Sequence, residues 1–303
     1  MPGVRSYYAL PVIEYDPHHW RSHFFDLRGS LVREIAYRVG LCAATAVAVS
    51  IAYHYHKDVA IPDKPHVLIG PALALLLVFR TNTANDRYWE GRRLWGGIVN
   101  TTRNLRRKAE VLFKDEPATV ARITEWTVAW FWAARGHLVE EKAVGPACQL
   151  PADEQSRALA ASHVPAYVAG ELTSIVADAR KRGVIGDIQQ QMLDVDIQTL
   201  IDHVGGCERI DSTPLPYAYA VHLRRALVLY CLTLPFALVS AFHEWTVVAS
   251  LIVSYILIGI EEIGTEIEGP FGRRHNDLPL DRLCQRLEAN LRDPNNHPTK
   301  LQP

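Results

Sequence analysis

Two apolar runs that lie close together near the C-terminus constrain this chain more than any other feature. Residues 226–241 and 247–260 are separated by only five residues, 242–246, which is too short for a linker between soluble domains. A second pair, residues 39–55 and 67–79, lies near the N-terminus, and no Asp, Glu, Lys or Arg interrupts any of the four runs. Because charged groups are costly in hydrocarbon, the sequence predicts four membrane-spanning helices arranged as two hairpins.

The length of the runs leaves an alternative open, namely buried core helices of a large soluble protein. Each run has about thirteen to seventeen residues, which at about 1.5 Å per residue is shorter than a hydrocarbon core of ~30 Å. In a membrane, aromatic side chains near the run ends are expected to complete the crossing at the headgroup level. These aromatic residues are Tyr37, Tyr53, Tyr55, Tyr230, Trp245 and Tyr255.

Basic residues predict the orientation of the hairpins. Arginines precede the first run, follow the second and precede the third, and short cytoplasmic flanks are the ones that collect Lys and Arg. They are Arg28, Arg33, Arg38, Arg80, Arg87, Arg92, Arg93, Arg224 and Arg225. Both termini and the whole middle of the chain are therefore predicted to be cytoplasmic. The first thirty residues lack the pattern of a cleavable signal, so the first run is expected to direct insertion.

The predicted organisation has five parts. They are a cytosolic N-terminal segment (1–30), two transmembrane helices (31–80), a cytosolic helical region (81–223), two further transmembrane helices (224–264) and a cytosolic C-terminal part (265–303). Spacing of apolar residues in the middle predicts helices at 87–113 and 118–140, paired as an antiparallel hairpin, then a loop at 142–156, helices at 165–182 and 185–203, and a break at Gly205 and Gly206. The fold class predicted is all-α.

Composition argues against several kinds of chemistry. The chain has 32 basic and 33 acidic residues, so nothing draws it to nucleic acid. Its five cysteines stand singly and predict neither a disulfide framework nor a zinc site. The histidines show no His-Glu-x-x-His spacing, and no serine lies in a nucleophile-elbow context. No catalytic residue, metal site or cofactor is predicted, and the chain is not expected to be an enzyme.

The second run is the candidate lining of a transport pathway. Its stripe of Leu68, Pro71, Ala72, Leu75, Leu76 and Phe79 has helical spacing. A proline in a short membrane helix is tolerated where backbone faces a cavity, and a ring of apolar side chains can gate a pore by excluding water. Ordinary helix packing is the alternative explanation of this stripe.

Several ordered motifs resemble the bacterial homologues of the bestrophin family. They are residues 80–96 (RTNTANDRYWEGRRLWG), 206–210 (GCERI), 213–219 (TPLPYAY), 234–238 (LPFAL), 268–272 (EGPFG) and 276–281 (NDLPLD). The resemblance implies a homopentameric ion channel in the bacterial inner membrane, with four membrane helices per subunit, a single axial pore for monovalent ions and lipid around it.

The resemblance also implies two constrictions in this pore. A hydrophobic neck maps onto Pro71, Leu75 and Phe79, with Leu68, Ala72 and Leu76 as alternates, although a proline departs from the bulky aliphatic usual at the first position. A cytosolic aperture maps onto Ile188. For Ile188 an ordinary core contact is the alternative.

The C-terminal part is similar to the clasp of the family, a turn formed by Pro270, Phe271, Gly272, Asn276 and Asp277. Animal members carry acidic residues after the Pro-Phe-Gly motif that help to hold calcium. Here Arg273, Arg274 and His275 occupy that stretch, so neither a calcium clasp nor calcium gating is expected. The turn is expected to pack a helix at 280–291 against a neighbouring subunit.

Selectivity is predicted from an acidic cluster after the fourth run. Glu261, Glu262, Glu266 and Glu268 would raise the local cation concentration if they faced the pore, which favours cation-permeable or weakly selective conduction over the alternative of a chloride channel. Ion pairs with Arg80 and Arg87 are the other explanation for these carboxylates. A non-conducting scaffold is a second alternative function, supported by Trp126, Trp130 and Trp132 if their rings form an exposed patch.

Overall fold

The structure is a computed structural model that describes residues 31–293. Within this range every regular element is helical, as the sequence predicts. The α-helices are α1 (Val32–Tyr55), α2 (Lys64–Leu112), α3 (Pro117–Leu138), α4 (Ala152–Ala160), α5 (Val164–Lys181), α6 (Asp187–Ser212), α7 (Tyr217–Phe242), α8 (Thr246–Ile267) and α9 (Leu280–Arg292). Short 3-10 turns, Lys57–Val59 and His243–Trp245, follow α1 and α7. The predicted N-terminal segment 1–30 lies outside the described residues.

Three stretches are long and apolar enough to cross a membrane: Val32–Tyr55, Lys57–Leu112 and Tyr217–Ile267. The third contains both α7 and α8, so each of the four apolar runs lies inside its own helix. The helices extend beyond the runs, and this extension supplies the length that the runs alone lack.

The described chain forms two compact units. The first, called here the apolar unit, comprises residues 31–88 and 214–270. In it α1 packs along α7 and α8, which also pack on each other. Its core joins these helices to the first part of α2 through Ile35, Val39, Cys42, Leu73, Leu77, Leu223, Leu227, Cys231 and Ile258. Helix α8 also buries Thr246, Ser250 and Ser254 at four-residue spacing, and such small side chains let membrane helices approach closely.

The second, called here the middle unit, comprises residues 89–213 and 271–293 of the described chain. Helix α3 is its centre and packs against α5, α6 and α9. Trp126, Trp130 and Trp132 on α3 are all buried, and the Trp132 indole donates a hydrogen bond of 2.8 Å to Glu288 on α9. These rings therefore form no exposed patch, which removes the observation that favoured a scaffold.

Two sequence expectations about the middle unit are wrong. The break expected at Gly205 and Gly206 does not occur, because α6 continues to Ser212. A Cβ on Gly206 would lie 2.8 Å from the Leu94 methyl groups, so this glycine serves a close approach of α6 to α2. The loop expected at 142–156 ends early, since α4 begins at Ala152.

Candidate functional site

The first part of α2 has one buried and one exposed face. Leu77 and Arg80 are each only 2% exposed, whereas Leu68, Leu75 and Phe79 are 77%, 55% and 56% exposed in the single chain. The other neck candidates, Pro71 and Ala72, are exposed as well. Every predicted neck residue except Leu76 therefore belongs to a wide apolar surface that the chain itself does not cover.

Three contacts with α7 set the rotation of α2. The imidazole of His66 lies 2.9 Å from the Thr233 hydroxyl, and the Tyr219 hydroxyl donates a hydrogen bond of 3.1 Å to the Leu76 carbonyl. A Cβ on Gly70 would lie 3.0 Å from the Tyr230 hydroxyl, so glycine permits this approach. Half-buried Leu76, an alternate neck residue, is thus turned partly toward α7.

A buried ion-pair cluster holds α2 just after Phe79. Glu261 on α8 is fully buried, and its carboxylate lies 3.6 Å from Arg80, 3.2 Å from Arg38 and 3.0 Å from Arg224. Arg80 also lies 3.7 Å from Glu268 and donates a hydrogen bond of 2.6 Å to Thr265. Partnerless buried charges are costly, so a cluster with this many partners fixes the local positions of α1, α2, α7 and α8.

The acidic residues singled out from sequence are largely occupied by arginines. Glu262 pairs with Arg38, and the backbone carbonyl of Glu268 accepts a hydrogen bond of 3.1 Å from Arg87. For Glu261, Glu262 and Glu268, the alternative of ion pairing describes what the structure shows. Glu266, the remaining member, is half-buried.

The predicted aperture residue lies at the start of α6 in the middle unit. Ile188 is 76% exposed, so within the single chain it is not a core contact. Met192 and Val195 follow at helical spacing and are also exposed. The sequence analysis missed these two residues, although their spacing from Ile188 is the signal that would have found them.

The clasp turn is held by its own residues. The Asp277 carboxylate accepts a hydrogen bond of 2.8 Å from the Arg274 backbone, and a Cβ on Gly272 would collide with that carboxylate. Phe271 is buried, as is Pro270, and Arg273 pairs with Glu141. Asn276 lies in the same turn. Thus the Asp277 oxygen that would ligate a cation already supports the turn.

Comparison with known proteins places the chain in a family. The family model described as bacterial/fungal bestrophin protein matches residues 12–293. A voltage-dependent anion channel-forming protein from Nostoc is 39% identical over 281 residues, which cover 91% of each chain. The similarly named Escherichia coli protein YneE is 31% identical over 294 residues, covering 94% of this chain and 95% of the relative.

Solved structures agree with this relationship. A crystal structure of a bacterial bestrophin homologue from Klebsiella pneumoniae superposes with a TM-score of 0.81 at 30% identity. The match covers 88% of this chain and all of that one, 100%. The all-helical fold, the apolar helices and the sequence matches together show that this chain is a membrane protein of the bacterial bestrophin family of ion channels.

Proposed function

We propose that this chain assembles as a homopentameric ion channel in the bacterial inner membrane. Helix α1, the first part of α2, α7 and α8 would cross the membrane, with both termini in the cytoplasm. Five copies of α2 would line one axial pathway for monovalent ions. The observation that carries the proposal is the exposed apolar face of α2, since copies of the same face meeting around an axis would enclose it.

Pro71, Leu75 and Phe79 are the proposed neck. All three are exposed, while the buried residues between them anchor α2 to its own subunit. Pro71 has no backbone N–H and cannot donate to the Val67 carbonyl, which is tolerated where backbone faces a cavity. Leu68 and Ala72 stay alternates on the same face, and Leu76 is the least favoured because it is turned partly toward α7.

Ile188 is the proposed cytosolic aperture. An isolated isoleucine that is 76% exposed at the start of a helix has no role in its own subunit's core. A ring of such side chains would form a second apolar constriction. Neighbouring Met192 and Val195 would extend this apolar surface along α6.

Weak selectivity is proposed because the charges near the neck balance. Arg38, Arg80 and Arg224 face Glu261, Glu262 and Glu268, three cations against three anions. Paired charges produce little net potential, and an apolar neck favours neither sign. The acidic cluster therefore supports cation enrichment less than the sequence alone suggests, and Glu266 is the member for which no arginine partner is described.

Chloride conduction is the second candidate, favoured by the relatives named as anion channel-forming proteins. Reversal potentials under asymmetric sodium chloride separate the two. A weakly selective pore reverses near zero, and a cation-permeable one shifts toward the sodium equilibrium potential. A reversal potential that follows chloride would replace the first candidate with the second.

Calcium gating is not proposed. The stretch after the Pro-Phe-Gly motif contains Arg273 and Arg274, and the Asp277 carboxylate already accepts a backbone hydrogen bond within the turn. Calcium needs several oxygen ligands free to approach it. Conductance is accordingly expected to be the same with and without micromolar calcium.

The neck is tested by widening it in liposomes that contain the purified protein. The double variant Leu75→Ala and Phe79→Ala should raise ion flux, because smaller side chains weaken the exclusion of water. Ile252→Ala on α8 is the matched control, since Ile252 is similarly exposed at 52% but lies outside α2, and it should leave flux unchanged. Equal flux from wild type, double variant and empty liposomes would contradict the proposal.

A further inference from the structure

Three side chains that are distant in sequence meet on the middle unit. His137 lies in the last turn of α3, His163 precedes the first residue of α5, and Glu208 is on α6. The Nε2 atom of His163 lies 2.7 Å from Glu208 Oε1, and Nε2 of His137 lies 2.9 Å from the same oxygen. The two imidazole rings are 4.5 Å apart between centroids.

We propose that His137, His163 and Glu208 bind a divalent transition metal ion of the zinc class. Their ligand atoms all lie within 4.8 Å of one another, and each side chain is partly exposed and therefore accessible. Tetrahedral zinc with bonds of about 2.0–2.1 Å places its ligand atoms roughly 3.3 Å apart. The three atoms thus reach coordinating positions by small side-chain shifts, without movement of the helices.

The donor set selects the class of metal. Two imidazole nitrogens and one carboxylate oxygen suit zinc and neighbouring first-row metals, whereas calcium and magnesium prefer oxygen ligands throughout. Three protein ligands leave a fourth position to water. Sequence spacing did not reveal the set, because residues 137, 163 and 208 belong to three different helices.

One existing hydrogen bond would change when the metal binds. Nδ1 of His163 accepts a hydrogen bond of 3.0 Å from the Ala166 backbone N–H and caps the start of α5. A metal on Nε2 requires a proton on Nδ1, so this cap is exchanged for the coordinate bond. Occupancy therefore couples the joining of α3, α5 and α6 to the loss of protection at a single amide, that of Ala166.

The test uses the purified full-length chain in detergent, stripped of metal by a chelator and titrated with zinc chloride by calorimetry. Wild type is expected to show one tight site per chain. His163→Asn removes Nε2 but keeps a side-chain oxygen able to cap α5. His137→Gln removes the second imidazole. Each should weaken this site at least tenfold, since even outer-shell changes cost about that much.

His222→Gln is the matched control, because His222 is exposed and lies outside the cluster. The chain has 13 histidines, so this control also measures background binding. Hydrogen exchange at Ala166 should quicken with zinc in wild type only. Binding by His163→Asn and His137→Gln with wild-type stoichiometry and affinity, or no tight site in wild type, would overturn the proposal. The inference is independent of the proposed channel function, since none of its residues belongs to the neck or aperture.

Discussion

Arg80 is the residue that links the charge cluster to the proposed neck. It directly follows Phe79, and its guanidinium is buried against Glu261, Glu268 and Thr265. Successive helical residues point about 100° apart, so an inward Arg80 turns Phe79 away from the subunit core. The sequence placed Arg80 in a motif and offered its pairing with the acidic residues as an alternative, but only the fold brought these groups together.

Arg80→Ala should destabilise the apolar unit by about 3 kcal/mol, because it removes one partner from a buried pair and leaves Glu261 less compensated. The measurement is the thermal unfolding midpoint in detergent. Arg224→Ala is the control, since its side chain is 47% exposed and such pairs contribute about 0–1 kcal/mol. Similar losses in the two variants would show that the burial of Arg80 carries no special weight.

Glu141 supplies a pH-dependent contribution in the middle unit. Burial raises the pKa of its carboxyl, but hydrogen bonds from Arg135 and Arg273 outweigh burial and hold the pKa below its ordinary value of 4.5. The unfolded chain therefore binds the proton more readily. This contribution to stability is complete above pH 4.5 and is lost as the pH falls through the lower folded pKa.

Glu141→Gln is consequently expected to lower the unfolding midpoint at pH 7, with the difference from wild type shrinking as the pH falls below 4.5. Unfolding followed by tryptophan fluorescence between neutral and acidic pH measures this. Glu140→Gln changes the adjacent, exposed carboxyl and should show no such trend. A difference that stayed constant with pH would mean that Glu141 acts through packing alone.

At the scale of elements, helix α6 shows how one residue type serves two purposes. Gly205 has no atom within 4 Å of a Cβ placed on it, whereas a Cβ on its neighbour Gly206 would meet Leu94. The sequence analysis took both glycines as a helix break, since glycine is a poor helix former. Packing of α6 against α2 overrides that local preference and makes Gly206 necessary.

Alanine substitutions should separate the two glycines. Gly205→Ala is expected to stabilise the middle unit by about 0.5–1 kcal/mol through helix propensity. Gly206→Ala should instead destabilise it by about 1 kcal/mol, because overpacking exceeds the same propensity gain. Unfolding midpoints of the two variants measured side by side test this. Equal stabilisation by both would show that Leu94 yields freely.

At the scale of the whole molecule, the single chain leaves large apolar side chains uncovered on α2 and at the start of α6. Leu75, Phe79 and Ile188 are each more than half exposed. Lipid could cover some of this surface, but enclosure by identical copies also explains why the apolar face of α2 ends beside a buried arginine. Oligomeric state is therefore the property on which the proposed function depends.

Native mass spectrometry of the detergent-extracted protein should give five chains per particle. Leu223→Ala, which weakens a buried contact inside the subunit, should lower stability without changing that number if the folded subunit is retained. A particle with one chain, or with any number other than five, would contradict the proposed assembly.

Much of the fold was predictable because its determinants are local in sequence. Uninterrupted apolar runs predict helices that avoid water, and helical spacing predicted α3 and α5 to within a few residues. The stripe containing Leu75 and Phe79 was visible for the same reason. The extent of α2 was not, since residue 80 ends an apolar run without ending a helix, and helix continuation depends on packing more than on polarity.

By itself, the sequence determined that the chain is all-α, that its terminal parts are apolar enough for a membrane, and to which family it is similar. Only the tertiary structure decided which charges neutralise one another around Glu261, which glycine serves a close approach, and that His137, His163 and Glu208 meet. The physical reason is range. Helix formation and hydrophobicity depend on neighbours along the chain, whereas ion pairing, steric fit and metal-ligand geometry depend on distances set by packing.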